Sequence, residues 1–260
     1  LGSSLGQFVT MAPWQRITLV AAGAGAGIAA TFNTPIGGVM FAIELMLPEI
    51  SARTFLPVAL ATGTATFIGR IFLGLQPAFA VPGALLSSDR PASLAALLLY
   101  AVLGALMGLA ATAFIKGLSF AEDVFERIGN GYVRHIIGML LIGTLMYALL
   151  RTGGQYYVDG VGYATIQAIL SGNLVLPALL ALLFFAKLCA TSVSLGSGAS
   201  GGIFSPSLFM GATIGGAFGA AIGAIHPVDG LGVTTCAMIG MAAMVGGGTG
   251  AAMTAVTMIF

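Results

Sequence analysis

The residues with chemistry to offer are few, and the densest group lies between Gly196 and Gly219, GSGASGGIFSPSLFMGATIGGAFG. Gly196, Gly198, Gly201 and Gly202 oppose an unbroken helix there. Ser205-Pro206 ahead of small apolar residues reads as a new helix start with proline in its first position. A helix start leaves N–H groups that its own ladder does not use, at the positive end of the helix dipole. That chemistry suits an anion. No Asp, Glu, Lys or Arg occurs between Lys187 and Asp229, so the anion would meet apolar surroundings. A bare ion in such a place needs polar partners. Backbone amides at Gly202, Ile203 and Phe204 supply them without locking the ion to a full opposite charge. Gly198, Gly201, Ser205 and Pro206 then shape the loop that presents those amides. The plainer alternative keeps Phe204 as a core aromatic and the glycines as packing residues.

Glu44 is the other candidate. A carboxylate among Phe41, Ile43, Leu45 and Met46 is costly inside a membrane and is functional by default. Beside Pro48 and Glu49 at a helix end it is equally a wetted structural residue. His135 and His226 are of the residue type that serves as a proton switch, yet both read as loop residues, and neither has metal-ligand spacing with another His, Cys or carboxylate. Cys189 and Cys236 lack the CxxC spacing and read as small buried residues. No metal and no cofactor is expected. Gly198-Ala199-Ser200-Gly201 also resembles the GxSG nucleophile motif of rhomboid-like intramembrane serine proteases. A nucleophilic serine needs a histidine base, and the later His226 sits in a turn.

These groups need elements to hold them, and composition says where those elements lie. Of 260 residues, 58% are hydrophobic and only 7% charged. Soluble domains carry about a quarter charged residues, so the chain reads as an all-α, multi-pass integral membrane protein. A net charge of +1 gives no basic footprint for nucleic acid. Residue 1 is not Met and no basic stretch precedes the first apolar run, so no signal peptide is expected. Both ends fall inside apolar patterns, as expected of an internal stretch of a longer transporter.

Leu1–Thr10 reads as the later part of a helix, and Arg16 as a polar turn. Helices are expected over Ile17–Ala30, Ile36–Leu47, Thr54–Leu73, Pro91–Ser119 and Val133–Leu150, with a short one ending at Leu170 and another over Asn173–Val193. Leu75–Pro91, with Pro77, Pro82, Gly83, Ser87 and Ser88, reads as a long connection closed by Asp89-Arg90. Glu122, Asp123, Glu126, Arg127 and Arg134 read as a solvated face between helices. Gly211, Gly215, Gly219 and Gly223 recur every four residues and form a flat ridge for a neighbouring backbone. His226-Pro227 ends that helix, and Thr235–Phe260 is apolar and glycine-rich. Two windows repeat: Leu1–Gly6 matches Met210–Gly215, and Asn33–Val39 matches Gly250–Val256 in the order of small and apolar residues. Inverted-repeat transporters show such internal similarity.

Gly201–Pro206, GGIFSP, resembles the GxFxP signature of the CLC chloride channels and chloride/proton exchangers. Phe32-Asn33-Thr34-Pro35 running into Phe41-Ala42-Ile43-Glu44 is similar to the FNAP-to-glutamate helix of that family. The likeness covers the whole chain. It implies a CLC-like inverted-repeat membrane domain of tilted, partly broken helices, with the late first half at 1–74, the second half at 93–260 and both ends truncated. It implies chloride or a similar anion as cargo, a lipid bilayer in a bacterial plasma membrane, no enzymatic activity, and a homodimer whose interface includes Ile36–Leu47 and Thr54–Leu73. It also implies that the gating glutamate of GxEGP, the serine of the first anion loop GSGxP and a pore tyrosine lie outside residues 1–260. In many exchangers two glutamates stand together at the end of the FNAP helix, and the second relays protons. Glu44 falls on the first and Leu45 on the second. Leucine binds no proton, so the expectation is channel-like or weakly proton-coupled anion transport, with chloride/proton antiport as the alternative.

Overall fold

The computed structural model describes residues 2–81, 93–225, 228 and 230–260. Pro82, Gly83, Ser87, Ser88, Asp89, Arg90 and Pro91 of the long connection, and His226, Pro227 and Asp229, lie outside the described residues. Within those residues the chain is helical and contains no strand. The helices are α1 Gly2–Phe8, α2 Pro13–Phe32, α3 Pro35–Phe41, continued by a π-helical turn Ala42–Met46, and α4 Ala52–Leu73. There follow α5 Leu94–Glu126, α6 Gly131–Gly153, α7 Tyr163–Leu170, α8 Pro177–Gly196, α9 Phe204–Ile225, α10 Val233–Thr249 and α11 Ala252–Ile259. Helices α4, α5, α6, α8 and α9 are each long and apolar enough to cross a membrane. Their outward residues are apolar too: Leu60 and Phe67 of α4 are 62% and 65% exposed. In water such faces would be a liability; against lipid they are at home.

The chain divides into two compact units, Leu1–Ala80 with Gly250–Phe260, and Val81–Thr249. The first is built on α2, which packs against α3 and α4. Its core is small: Ala21, Ala22, Ala42, Leu47 and Val58 are buried together. Phe32-Asn33-Thr34-Pro35 is a helix-to-helix corner made of four local devices. Phe32 is buried, and its ring stands 6.4 Å from that of Phe79. Asn33 takes the left-handed conformation that ends α2, at φ 57°, which Asn tolerates better than most residues. Its amide also bridges outward, accepting from Arg70 Nε at 2.6 Å and donating to the Leu75 carbonyl at 3.0 Å. Thr34 then caps α3 by accepting from the Gly37 N–H at 3.2 Å, and Pro35 occupies the first helical position.

The corner has a counterpart at the second repeat window. Gly250, which stands opposite Asn33 in the repeat, is also left-handed, at φ 78°, and the short helix α11 begins two residues later, as α3 does after Asn33.

The second unit centres on Leu103, Met107 and Phe114 of α5, Phe184 of α8, Met210 of α9 and Met244 of α10. Helices α9 and α10 lie close because glycines line the contact. A methyl group on Gly215 would stand 2.9 Å from the Cys236 carbonyl carbon, and one on Gly219 would stand 2.9 Å from the Gly232 oxygen. Gly211 meets the backbone of Gly240 and Met241 in the same way. Gly223, the fourth member of the expected ridge, faces nothing within 4 Å among the described residues, so the flat contact they show is three glycines long.

Several element boundaries differ from expectation. Arg16 is not in a turn but in the first turns of α2, which starts three residues earlier at Pro13. Helix α5 does not stop at Ser119; it runs through Glu122 and Asp123 to Glu126, because Phe114, Ala121 and Phe125 recur at helical spacing and are buried along one face, while the charged residues point outward. His135 and Arg134 belong to α6, whose start is fixed by the Asn130 side chain accepting from the Tyr132 N–H at 3.0 Å. The apolar stretch after Thr235 is two helices, broken at Gly250.

Candidate functional site

Helix α8 ends at Gly196 and α9 begins at Phe204, so the glycine segment breaks the apolar run into two helices as its composition requires. Ser197 closes α8 by donating its N–H to the Val193 carbonyl at 2.9 Å, and Gly198 turns the chain at φ 88°. A side chain at residue 198 would be strained by that φ and would also meet Arg134, whose Nη2 stands 3.0 Å from where a Cβ would sit. Pro206 is the third residue of α9 rather than the first; it is still within the opening turn, where a missing N–H costs no helical bond.

The loop and the start of α9 open onto a cavity of about 410 Å³. Gly201, Gly202, Phe204, Ser205 and Pro206 line it, with Thr191 and Ser194 of α8 and Gly160 of the α6–α7 connection. Ile203 does not line it; its side chain packs against the core of the second unit. Gly198 lies apart as well, in an open depression with Arg134, His135 and Ser197. Ser205 Oγ is 3.4 Å from the Tyr163 hydroxyl, which ties the start of α9 to α7.

One residue of this cavity was missed in the sequence: Lys187. In the sequence reading it served only as the edge of the uncharged run. In the fold it is 3% exposed within the spanning helix α8. Its ammonium donates to the Val158 carbonyl at 2.9 Å and the Gly160 carbonyl at 2.7 Å, and lies 5.2 Å from the centre of the Phe209 ring. The carbonyls and the ring partly replace lost hydration. Lys187 lines the same cavity as Gly202 and Phe204; among the described residues no carboxylate side chain lines it with them, and Asp159 acts on the ammonium from outside that lining. A helix start and a buried cation therefore face one space. A signal was available: an isolated lysine inside an apolar helix is a functional position by default.

Glu44 and Leu45 sit in the π-helical turn of the first unit. Leu45 is 38% exposed. The Glu44 carboxylate is a cap for α11: it accepts from the Met253 N–H at 2.9 Å, the Thr254 N–H at 2.7 Å and the Thr254 hydroxyl at 2.6 Å. A negative charge at a helix N-terminus is favourable on two counts, the free donors and the dipole. Glu44 lies outside the five spanning helices. Partial burial pulls its pKa upward, but the Thr254 hydroxyl and the Thr254 and Met253 amides outweigh it and hold the carboxyl below its ordinary value. Glu44→Gln is expected to loosen this end by about 1 kcal/mol. Hydrogen exchange at the Met253 and Thr254 amides should then quicken about fivefold, the same energy expressed as a rate. Unchanged exchange would mean that the cap carries no stability.

No group of three or more His, Cys, Asp or Glu suited to a metal occurs among the described residues. Cys189 is exposed and Cys236 buried, both as free thiols, so only the second matches the expected burial.

The voltage gated chloride channel family matches residues 1–260. The H(+)/Cl(-) exchange transporter ClcA of Klebsiella pneumoniae subsp. pneumoniae is 33% identical over 268 residues, covering 100% of this chain and 55% of that protein. The protein of the same name from Salmonella agona is 33% identical over 248 residues, covering 94% of this chain and 50% of its own length. The crystal structure of a slow cyanobacterial Cl−/H+ antiporter superposes with a TM-score of 0.81 at 26% identity, over 99% of this chain and 59% of that one. The chain thus spans about half the length of the curated relatives it matches. With the glycine-broken helix pair, the FNTP corner and a match over every residue, the chain belongs to the voltage-gated chloride channel (CLC) family of integral membrane proteins.

Proposed function

We propose that the protein exchanges chloride or a similar small anion for protons across a membrane, with the anion held at the start of α9. The observation that carries the anion part is the cavity at Phe204, where a helix N-terminus meets the buried Lys187 ammonium and no carboxylate among the described residues joins the lining. Amide N–H groups at Gly202, Ile203 and Phe204 are the proposed ligands, with Gly198, Gly201, Ser205 and Pro206 shaping the loop. Such a site holds an anion weakly enough to release it. The exchange part rests on kinship: the curated relatives named above are H(+)/Cl(-) exchange transporters, and the solved relative is a Cl−/H+ antiporter. This favours antiport over the channel-like reading that Leu45 suggests by itself. Family membership also removes the ground for the serine-protease reading of Gly198–Gly201.

Leu45 still favours a second reading, passive or weakly coupled transport, because a leucine side chain neither takes up nor releases a proton. The two are separated by reconstituting the full-length protein in liposomes with a chloride gradient and a pH-sensitive dye. Exchange predicts uphill proton movement at a fixed ratio to chloride. Chloride efflux that leaves the internal pH unchanged would overturn it. Leu45→Glu is expected to raise proton flux several-fold if the missing carboxylate limits the rate, and to leave it unchanged if protons travel by water or by Glu44.

A homodimer through Ile36–Leu47 and Thr54–Leu73 rests on the family resemblance; Ile36, 67% exposed, and its apolar neighbours suit a subunit face and lipid alike. Cysteines placed in Thr54–Leu73 should crosslink between subunits in a bilayer; a strictly monomeric product would count against it.

A further inference from the structure

Thr191, 7% exposed, carries a hydroxyl that has no hydrogen-bond partner among the described residues. Every other buried threonine among them is bonded. Thr18 and Thr66 donate to the carbonyl four residues earlier, at 2.9 and 2.8 Å. Thr165 and Thr234 donate to the Tyr157 and Leu170 carbonyls, at 2.7 and 3.0 Å. Donating back one turn is the usual refuge of a helical hydroxyl. A buried hydroxyl that forgoes it is left short unless a ligand or water supplies the acceptor.

This hydroxyl is also open. The oxygen of the adjacent Ser192 is closed off on all sides, whereas Thr191 Oγ1, equally unbonded, is not. The space that Thr191 lines is the cavity of about 410 Å³ at Gly202 and Phe204. Lys187 stands one turn earlier, so the two residues share a face of α8. Two N–H groups of its ammonium are taken by the Val158 and Gly160 carbonyls, but its charge remains. Asp159 acts on that charge from outside the lining. Inside, the wall presents a positive charge and an unused O–H donor, and no carboxylate among the described residues joins them. The donor calls for an acceptor, and the ammonium beside it favours a negatively charged one.

We propose that Thr191 donates a hydrogen bond to the transported anion at a second position in this cavity, beside Lys187 and apart from the amides at the start of α9. The proposal rests on the reading of this cavity as an anion route. A halide suits the position because it accepts a hydrogen bond and needs no acceptor in return. Water would also meet the hydroxyl, but a neutral molecule gains far less from the ammonium. The directed O–H supplies what the ammonium cannot, since two of its donors are committed to carbonyls.

The test locates the ion directly. Crystals of the full-length protein are titrated with bromide, and the ion is found by its anomalous scattering. One peak is expected within hydrogen-bond reach of Thr191 Oγ1 and another at the Phe204 amides. Thr191→Val removes the donor at nearly constant shape. It should move half-occupancy of the first peak to about tenfold higher bromide, the worth of a hydrogen bond to a charged group. Thr191→Ser should restore it. Because the hydroxyl has no protein partner, Thr191→Val should leave the melting temperature in chloride-free buffer unchanged, so a fault in folding would be seen separately. Chloride flux in liposomes should fall several-fold in Thr191→Val and recover in Thr191→Ser. A peak at the Phe204 amides with none at Thr191 would assign the hydroxyl to water, overturning the proposal while leaving the transport reading intact. Bromide at neither position would overturn both. A Thr191 peak that Thr191→Val leaves unchanged would assign the ion to Lys187 alone and overturn the part given to the hydroxyl. Weakened binding with unchanged flux would mark an adventitious ion and overturn it too.

Discussion

Lys187→Met is expected to lower anion flux about 30-fold while leaving the protein assembled. A unit charge about 8 Å from an anion contributes about 2 kcal/mol at an effective dielectric of about 20, and that energy sets the factor. The ammonium is nearly fully buried in the cavity that the start of α9 lines, so solvent screens it little. The same substitution removes two donors and leaves the Val158 and Gly160 carbonyls short of partners. Each such loss costs about 1–3 kcal/mol, so stability falls too and must be separated from flux. Lys187→Gln does this: its amide can still donate to a carbonyl but carries no charge. The electrostatic account expects Gln to restore part of the melting temperature and little of the flux. Flux restored by Gln along with stability would make Lys187 a tether of the α6–α7 connection only. Flux unaffected by either variant would place the anion route elsewhere.

Gly215→Leu is expected to be among the most damaging single changes in the chain. The new Cβ would stand 2.9 Å from the Cys236 carbonyl carbon and 3.0 Å from the Ala237 Cα, and neither backbone atom can swing aside as a side chain would. Overpacking commonly costs about 1–3 kcal/mol, and more where no rotamer relieves it. At about 3 kcal/mol the melting temperature would fall by about 10 °C. Gly223→Leu, two turns further along the same ridge, is the control, because nothing among the described residues stands within 4 Å of it. It should shift stability by about 0.5 kcal/mol at most. Similar melting temperatures for the two variants would contradict the close approach of α9 and α10.

How much of this was legible beforehand follows from the range over which each feature acts. The break between α8 and α9, the FNTP corner and the turn at Gly250 depend on the φ preferences of Gly, Asn and Pro, so residue order alone located them or marked them as repeats. Membrane character was legible for a similar reason, since 7% charged residues cannot coat a soluble domain of this size. The end of α5 was misjudged because a charged segment looks the same in a helix as in a loop. The ridge of four glycines was legible as spacing, but only packing shows that three of them meet a neighbour. Lys187 and Glu44 lay further beyond reach. Lys187 acts on carbonyls 27 and 29 residues away, and Glu44 on a helix start 209 and 210 residues away. The amino-acid order determined where the backbone must turn and which surfaces must avoid water. Tertiary structure decided which buried charge faces the cavity at Phe204 and which carboxylate caps α11, because a charge acquires its partner only when the chain brings distant segments together.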